Sequence, residues 1–297
     1  MNLIVGATGL LGSDICRRMS AQGHALRALV RNTSKPETLA ELKRLGAELV
    51  TADLKNPPSL NEACRGVTTV LSTASSTLSR QEGDSIETVD RQGQLDLIDA
   101  AERAGVTHFV LISFPNVDVD FPLQAAKRAV ENRLRHCRMS HTILQPTFFS
   151  EVWLSPALGF DLANGRAQIY GAGHNKISWI SFQDVAKYAV AAIDNPRAVN
   201  ATIELGGPDA LGPLDVVRLA EQLIGKPVDV QHVAEDALRA QHSAAADSLQ
   251  QSFAGLMLYY ASGDVIDMTD AERAFGTRPM KSVREHLQVM LGTAAAG

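Results

Sequence analysis

Over the first 145 residues the apolar positions come in short runs: LIV (3–5), ALRALV (25–30), AELV (47–50), TTVLS (68–72), FVLIS (109–113) and HTILQ (141–145). Runs of this length, rich in β-branched residues, predict buried strands. Between them apolar residues recur at helical spacing, as in LLGSDICRRMSAQG and the long SIETVDRQGQLDLIDAAERAG. Strands alternating with helices imply a parallel sheet covered on both faces, because each crossover must return over the sheet. Gly23, Gly46, Gly66 and Gly105 each close a helix ahead of the next strand.

After Pro146 the beat breaks. Residues 147–178, rich in Phe, Trp, Gly and Pro, read as irregular and aromatic-lined. ISWISFQDVAKYAVAAIDNP predicts a short strand and an amphipathic helix, and ATIELGG another strand. Helices follow at PLDVVRLAEQLIG, across an alanine-rich region near 234–260, and near 281–291. The fold class expected is α/β, a doubly wound parallel sheet with a smaller, mainly C-terminal α/β lobe. Residues 1–146 and 177–205 are expected to form the sheet domain, and 147–176 and 206–297 the lobe that takes substrate.

The chain has 297 residues, 45% of them hydrophobic, enough for a substantial core. A net charge of −5, with no Lys/Arg block longer than two residues, argues against a nucleic-acid surface. No apolar run reaches the ~18 residues of a membrane span, and MNLIVG lacks a signal-like start, so a cytoplasmic protein is expected. Cys16, Cys64 and Cys137 are odd in number and lack ligand spacing, and the eight histidines are scattered, so no metal is expected. No G-x-S-x-G elbow is present.

GATGLLG (6–12) follows the first strand and opens the first helix. Gly6 permits the tight turn, Gly9 lets the backbone approach a pyrophosphate, and Gly12 lets helix and sheet pack closely. The N–H groups at that helix start form an anion site, which makes Gly6, Thr8, Gly9, Leu10, Leu11 and Gly12 candidate cofactor contacts in a Rossmann-type domain. An NAD site presents an acid ~20 residues on. Here no acid occurs between Asp14 and Glu37, and Arg31 closes the second strand with Lys35 four residues later. A cation there pairs with a 2′-phosphate, so charge favours NADP(H).

GATGLLG, LVRN, TADL (51–54), GVTTVLSTAS and DAAERAGVTHFVLIS together resemble the NmrA-like branch of atypical short-chain dehydrogenases. ENRLRHCRMSHTILQPTFFSE, WISFQDVAKYAVAAI and FGTRPMKSVREHL extend the resemblance over nearly the whole chain. That branch includes quinone, triphenylmethane and isoflavone-type reductases, and NADP-binding regulators and assembly factors. The resemblance implies NADP in the glycine loop, Asp53 and Leu54 beside the adenine, and Ser72, Thr73 and Ala74 along the cofactor. It also implies Pro146, Thr147, Phe148 and Phe149 near the nicotinamide, and Arg31 as the 2′-phosphate arginine. Asp53 also suits a turn, and Ser113 also suits a strand end.

FPLQAAKRAVEN (121–132) places Lys127 near the apolar stripe of a helix rather than opposite it. Standard short-chain dehydrogenases carry a tyrosine four residues before this lysine, and a serine at the place of Ser113 polarises the carbonyl. Here the tyrosine position is Leu123, which donates no proton. Lys127 then has three readings: a ribose and nicotinamide contact, a general acid/base, or a structural partner of Glu131. Lys127 and Ser113 are the catalytic candidates. Phe114, Phe149 and Trp153, with Phe148 nearby, suit a small apolar or aromatic substrate. The function expected is NADPH-dependent reduction of a quinone-like or aromatic carbonyl or conjugated compound. The alternative is a non-catalytic NADP(H)-sensing regulator or assembly protein, and a homodimer or a protein partner fits either.

Overall fold

The structure, a computed structural model, describes residues 1–78 and 80–292. Along the chain run β1 (Asn2–Val5), α1 (Leu10–Ala21), β2 (Leu26–Val30), α2 (Pro36–Arg44), β3 (Glu48–Thr51), α3 (Pro57–Cys64) and β4 (Thr69–Ser72). A π-helical segment, Ile86–Gln92, leads into α4 (Gly93–Arg103), followed by β5 (His108–Ile112), α5 (Pro122–Arg135) and β6 (Ser140–Pro146). Then come α6 (Ser150–Trp153), β7 (Phe160–Asp161), β8 (Arg166–Tyr170), β9 (Ile177–Ser178), α7 (Phe182–Ala191) and β10 (Ala201–Leu205). The chain closes with β11 (Ala210–Leu211), α8 (Pro213–Ile224), β12 (Asp229–Val233), α9 (Glu235–Ala244), α10 (Ser248–Ser262), α11 (Thr269–Phe275) and α12 (Val283–Met290).

Two compact units divide these elements. The first comprises Met1–Phe114, Pro122–Gln145 and Val185–Ile203. Its seven-stranded sheet has the order β10-β6-β5-β4-β1-β2-β3, and the β1–β2, β1–β4, β2–β3, β4–β5 and β5–β6 pairs are parallel. All six apolar runs of the N-terminal half thus become strands, and the doubly wound α/β fold is as the alternation predicts. Strand order reverses between β1 and β4, so the crevice beyond their carboxyl ends is the switch point where such sheets bind ligands. Under the sheet, Leu3, Val5, Val70, Leu97, Ile98, Phe109, Leu111, Val130 and Ile143 form one buried core.

The second unit comprises Pro115–Phe121, Pro146–Asp184 and Glu204–Gly297, of which residues 293–297 are not described. It holds a three-stranded sheet, β12-β8-β7, and a two-stranded one, β11-β9. Its core is aromatic. Phe148 lies 4.8 Å from Trp153 and 4.6 Å from Tyr259, ring centre to ring centre, and Trp153 stacks on Tyr260 at 5.5 Å.

Two helical predictions gain detail. The region near 234–260 is two helices, because Asp247 accepts hydrogen bonds from the Leu249 and Gln250 N–H groups and caps a new helix start. The long helix after Ser85 begins as a π-helix. Where it becomes α4, Gly93 presses on the chain beneath: a Cβ there would lie 2.7 Å from the Leu54 side chain.

Candidate functional site

The glycine loop is built at the switch point. Gly6 has φ +89°, open to glycine, and a Cβ on it would meet Thr73 Oγ1 at 2.5 Å. The loop after β4 is held against β1 there, since the Thr73 N–H donates to the Val5 carbonyl. A Cβ on Gly12 would come within 2.1 Å of the Gly6 carbonyl oxygen, so α1 packs on the loop as only glycine allows. Gly9 is different. Its φ of −84° and ψ of 172° suit any residue, and the nearest atom to a Cβ would be Gly6 O at an ordinary 3.4 Å. Among the described residues no neighbour requires glycine at position 9.

Gly9 is the N-cap of α1, its side-chain-free end supplies no cap, and the first turn holds no acid. The Gly9 N–H donates to the Gly6 carbonyl at 3.0 Å, and no side chain caps the N–H groups that follow it at the start of α1. Thr8, Gly9 and Leu10 are exposed, with Leu10 57% accessible, while Leu11 and Gly12 turn into the core.

Arg31 stands just past β2, at the carboxyl edge of the sheet, with exposed Lys35 at the N-cap of α2. Its guanidinium is engaged: Nη1 lies 2.7 Å from Asp84 Oδ2, and Lys55 bonds the other carboxylate oxygen of Asp84. Burial pushes the Asp84 carboxyl up, but the bonds from Lys55, Arg31 and the Gln81 N–H outweigh it and hold the group below the usual carboxylate range. Asp53 makes the turn foreseen for it, its Oδ1 accepting from the Lys55 N–H at 2.8 Å. Leu54 is a core residue. Ser72 donates to Gln94 Oε1 at 2.9 Å, and Gln94 returns a bond to the Ala74 carbonyl at 3.2 Å, a buried brace under the loop.

Lys127 points inward. It is 6% exposed, its Nζ lies 3.4 Å from the Ile112 carbonyl and 4.0 Å from Asp90 Oδ1. Burial lowers its pKa, partly offset by the charges of Asp90 and Glu131. The structural alternative, a Lys127–Glu131 pair, is not formed, because Glu131 is saturated by other donors. Its Oε1 accepts from Ser113 at 2.5 Å and Gln145 at 2.9 Å, and Arg128 and Arg135 pair with it at 2.8 and 3.3 Å. Ser113 correspondingly spends its proton on Glu131 and accepts from Arg128 at 3.1 Å, so its hydroxyl is fixed in a buried network. Leu123 is a buried packing residue.

The remaining candidates fall in separate surroundings. Phe114 lies under the Arg128 guanidinium, 5.5 Å from ring centre. In the second unit Pro146, Thr147 and Phe148 are buried, Phe149 and Trp153 half-buried, and the Phe148 and Trp153 rings belong to the aromatic core. Two thiols are chemically quiet: burial pushes Cys16 up to about 12 and Cys64 up to about 11. Among the described residues no His/Cys/Asp/Glu group could hold a metal, and no helix is long and apolar enough to cross a membrane.

Three residues of this site escape the sequence reading: Asp84, Lys55 and Asp90. Asp84 and Lys55 lie in polar turns that carry no periodic signal. Asp90 did carry one. Ile86, Asp90, Gly93 and Leu97 share one helical face, and all are buried, so an acid stands on an apolar stripe as Lys127 does.

The chain is 30% identical over 260 residues to the NAD(P)H azoreductase of Xenophilus azovorans, covering 86% of this chain and 85% of that one. To the photosystem II assembly factor Ycf39 of Synechocystis sp. it is 31% identical over 248 residues, 81% of this chain and 73% of the relative. Among solved structures, an NADPH complex of a quinone oxidoreductase from Escherichia coli superposes with a TM-score of 0.78 at 24% identity, over 98% of this chain and 99% of that one, a likeness of fold. The NmrA-like profile matches residues 2–275, so the glycine loop, Arg31, Lys127 and most of the second unit all lie within the match: the chain belongs to the NmrA-like family.

Proposed function

We propose that the chain is an NADPH-dependent reductase acting on a flat apolar acceptor, a quinone-like, azo or aromatic carbonyl or conjugated compound. The observation that carries the reading is Gly9, bare where the fold itself would accept a side chain, at a helix start that no side chain caps. Leu10 and Leu11 would hold the pyrophosphate through their backbone N–H groups, with bare Gly9 giving it room to approach, Arg31 and Lys35 would hold the 2′-phosphate, and Asp53 the adenine amine. The bound cofactor supplies hydride. Lys127 is the proposed proton donor and ribose contact, since Leu123 has no hydroxyl and the Ser113 proton is committed to Glu131. The acceptor class is proposed from the azoreductase relative. Following NADPH oxidation against a panel of quinones, azo dyes and aromatic ketones tests it; turnover no faster than the protein-free background with every acceptor rejects the enzyme reading.

A second reading, an NADP(H)-sensing assembly or regulatory protein, is favoured by Leu123 and by the Ycf39 relative. Asp84 joins Arg31, Lys55 and the Gln81 N–H, and a phosphate competing for Arg31 would rearrange these contacts. Tight NADP+ binding without turnover, with altered protease cutting between 75 and 85, is the outcome this reading expects.

A further inference from the structure

We infer that Asp90 is a positioning residue that acts through Lys127, as the buried counter-ion that fixes where the ammonium stands. The inference rests on the reductase reading for its consequence, but on geometry for its substance. Asp90 is completely buried, the fifth residue of the π-helical segment Ile86–Gln92. One carboxylate oxygen is fully used: Oδ2 accepts from the Ser76 N–H at 3.0 Å and the Ser76 hydroxyl at 2.6 Å. The other, Oδ1, has no hydrogen-bond partner and lies 4.0 Å from Lys127 Nζ.

Leaving a buried acceptor unsatisfied forfeits its hydration, most of all for a charged group, so an orphan oxygen beside a buried ammonium needs a reason. Electrostatic attraction at 4.0 Å without a shared proton is one. A direct contact would pull the ammonium fully onto the acid and spend its donors there. Held at this separation, Lys127 keeps one long bond to the Ile112 carbonyl, and its remaining N–H groups stay available. The π-helix supplies the placement: its wider turn sets Asp90 on the buried face, where Ser76, from the segment after β4, anchors it from behind. The charged groups facing Lys127 are Asp90 from this helix and Glu131 and Arg128 from α5; β5 contributes the Ile112 carbonyl alone. Glu131 is neutralised by Arg128 and Arg135, which leaves Asp90 as the acid answering the lysine.

The test is the titration of Lys127 in the full chain, read by 15N NMR of lysine-labelled protein with and without NADP+, its signal identified by loss in Lys127→Met. Unit charges 4 Å apart across a partly screened interior move a titration midpoint by about one to three pH units. Asp90→Asn is therefore expected to lower the Lys127 midpoint by about one unit or more, and to shift the alkaline limb of the kcat profile down by the same amount. A midpoint that moves by less than ~0.3 unit overturns the inference. If Asp90→Asn melts too early to titrate, the double variant Asp90→Asn/Lys127→Met is expected to recover a higher Tm than Asp90→Asn alone, since it removes the stranded ammonium. A double variant no more stable than Asp90→Asn also overturns it. Absence of turnover with every acceptor defeats the reductase reading and leaves the titration to decide Asp90 by itself.

Discussion

Alanine at Gly9 and at Gly12 separates ligand space from packing space within one loop. At Gly12 a Cβ would lie 2.1 Å from Gly6 O, 2.7 Å from Gly6 C and 3.0 Å from Ala7 Cα, all backbone, so α1 must move away from the loop. Overpacking of this kind costs about 1–3 kcal/mol or more, of which the better helix propensity of alanine returns ~1. At about 2–4 °C per kcal/mol for a unit of this size, the Tm of Gly12→Ala should fall by several degrees. At Gly9 the contact is an ordinary 3.4 Å and the backbone angles are open to alanine. The fold loses only a weak cap, about 0.5–1 kcal/mol, and the Tm should drop by ~4 °C or less. The same methyl stands where a pyrophosphate needs to approach the backbone, so NADPH affinity should fall at least ~10-fold, the equivalent of 1.4 kcal/mol. Thermal melts paired with calorimetric NADPH titration read both effects. Gly9→Ala binding NADPH as tightly as the parent would refute the cradle, and a Gly12→Ala protein of unchanged Tm would refute the close packing.

Arg31→Ala should weaken NADPH far more than NADH, measured as two Kd values; equal losses would remove the 2′-phosphate assignment. Glu131→Ala strands Arg128 beside a buried polar network and should cost about 2–4 kcal/mol, checked by chemical denaturation. Asp84 titrates below its unfolded value, so its contribution is fully present above the ordinary carboxylate range and is lost as the pH falls through its folded pKa. Asp84→Asn should therefore be less stable than the parent at neutral pH, with the gap closing in acid; a gap independent of pH would count against the Arg31–Asp84–Lys55 cluster. Buried His108 has its pKa lowered, chiefly by desolvation, so its neutral form stabilises the fold above the unfolded pKa of ~6.5 and this is lost on acidification. In His108→Gln, melts between pH 7 and 5 should show a shallower loss of stability than the parent.

The periodic part of the fold was legible because its signal is local. A run such as FVLIS needs only its own residues to declare a strand buried on both faces, and the beat of such runs with helices dictates a parallel sheet. GATGLLG was legible for the same reason, since strand, turn and helix are contiguous. The breaks were less so. Asp247 interrupts the alanine-rich region because its carboxylate caps two N–H groups, a local event that composition averages away.

By itself the sequence determined the α/β class, the glycine loop and the cation in place of an acid after the second strand; that Leu123 stands where a tyrosine would came from the resemblance to short-chain dehydrogenases. Each of the first three is a property of neighbouring residues. Only the tertiary structure decided which charges meet. Arg31 finds Asp84, 53 residues away, and Ser113 finds Glu131, 18 away. Lys127 turns inward toward Asp90 instead of along its own helix to Glu131. The reason is physical: a buried charge takes whichever partner the packing delivers, and ion pairing acts through space across elements that the sheet order brings together. Spacing along the chain places Lys127 near an apolar stripe; the folded sheet decides that it turns inward, between the Ile112 carbonyl and Asp90.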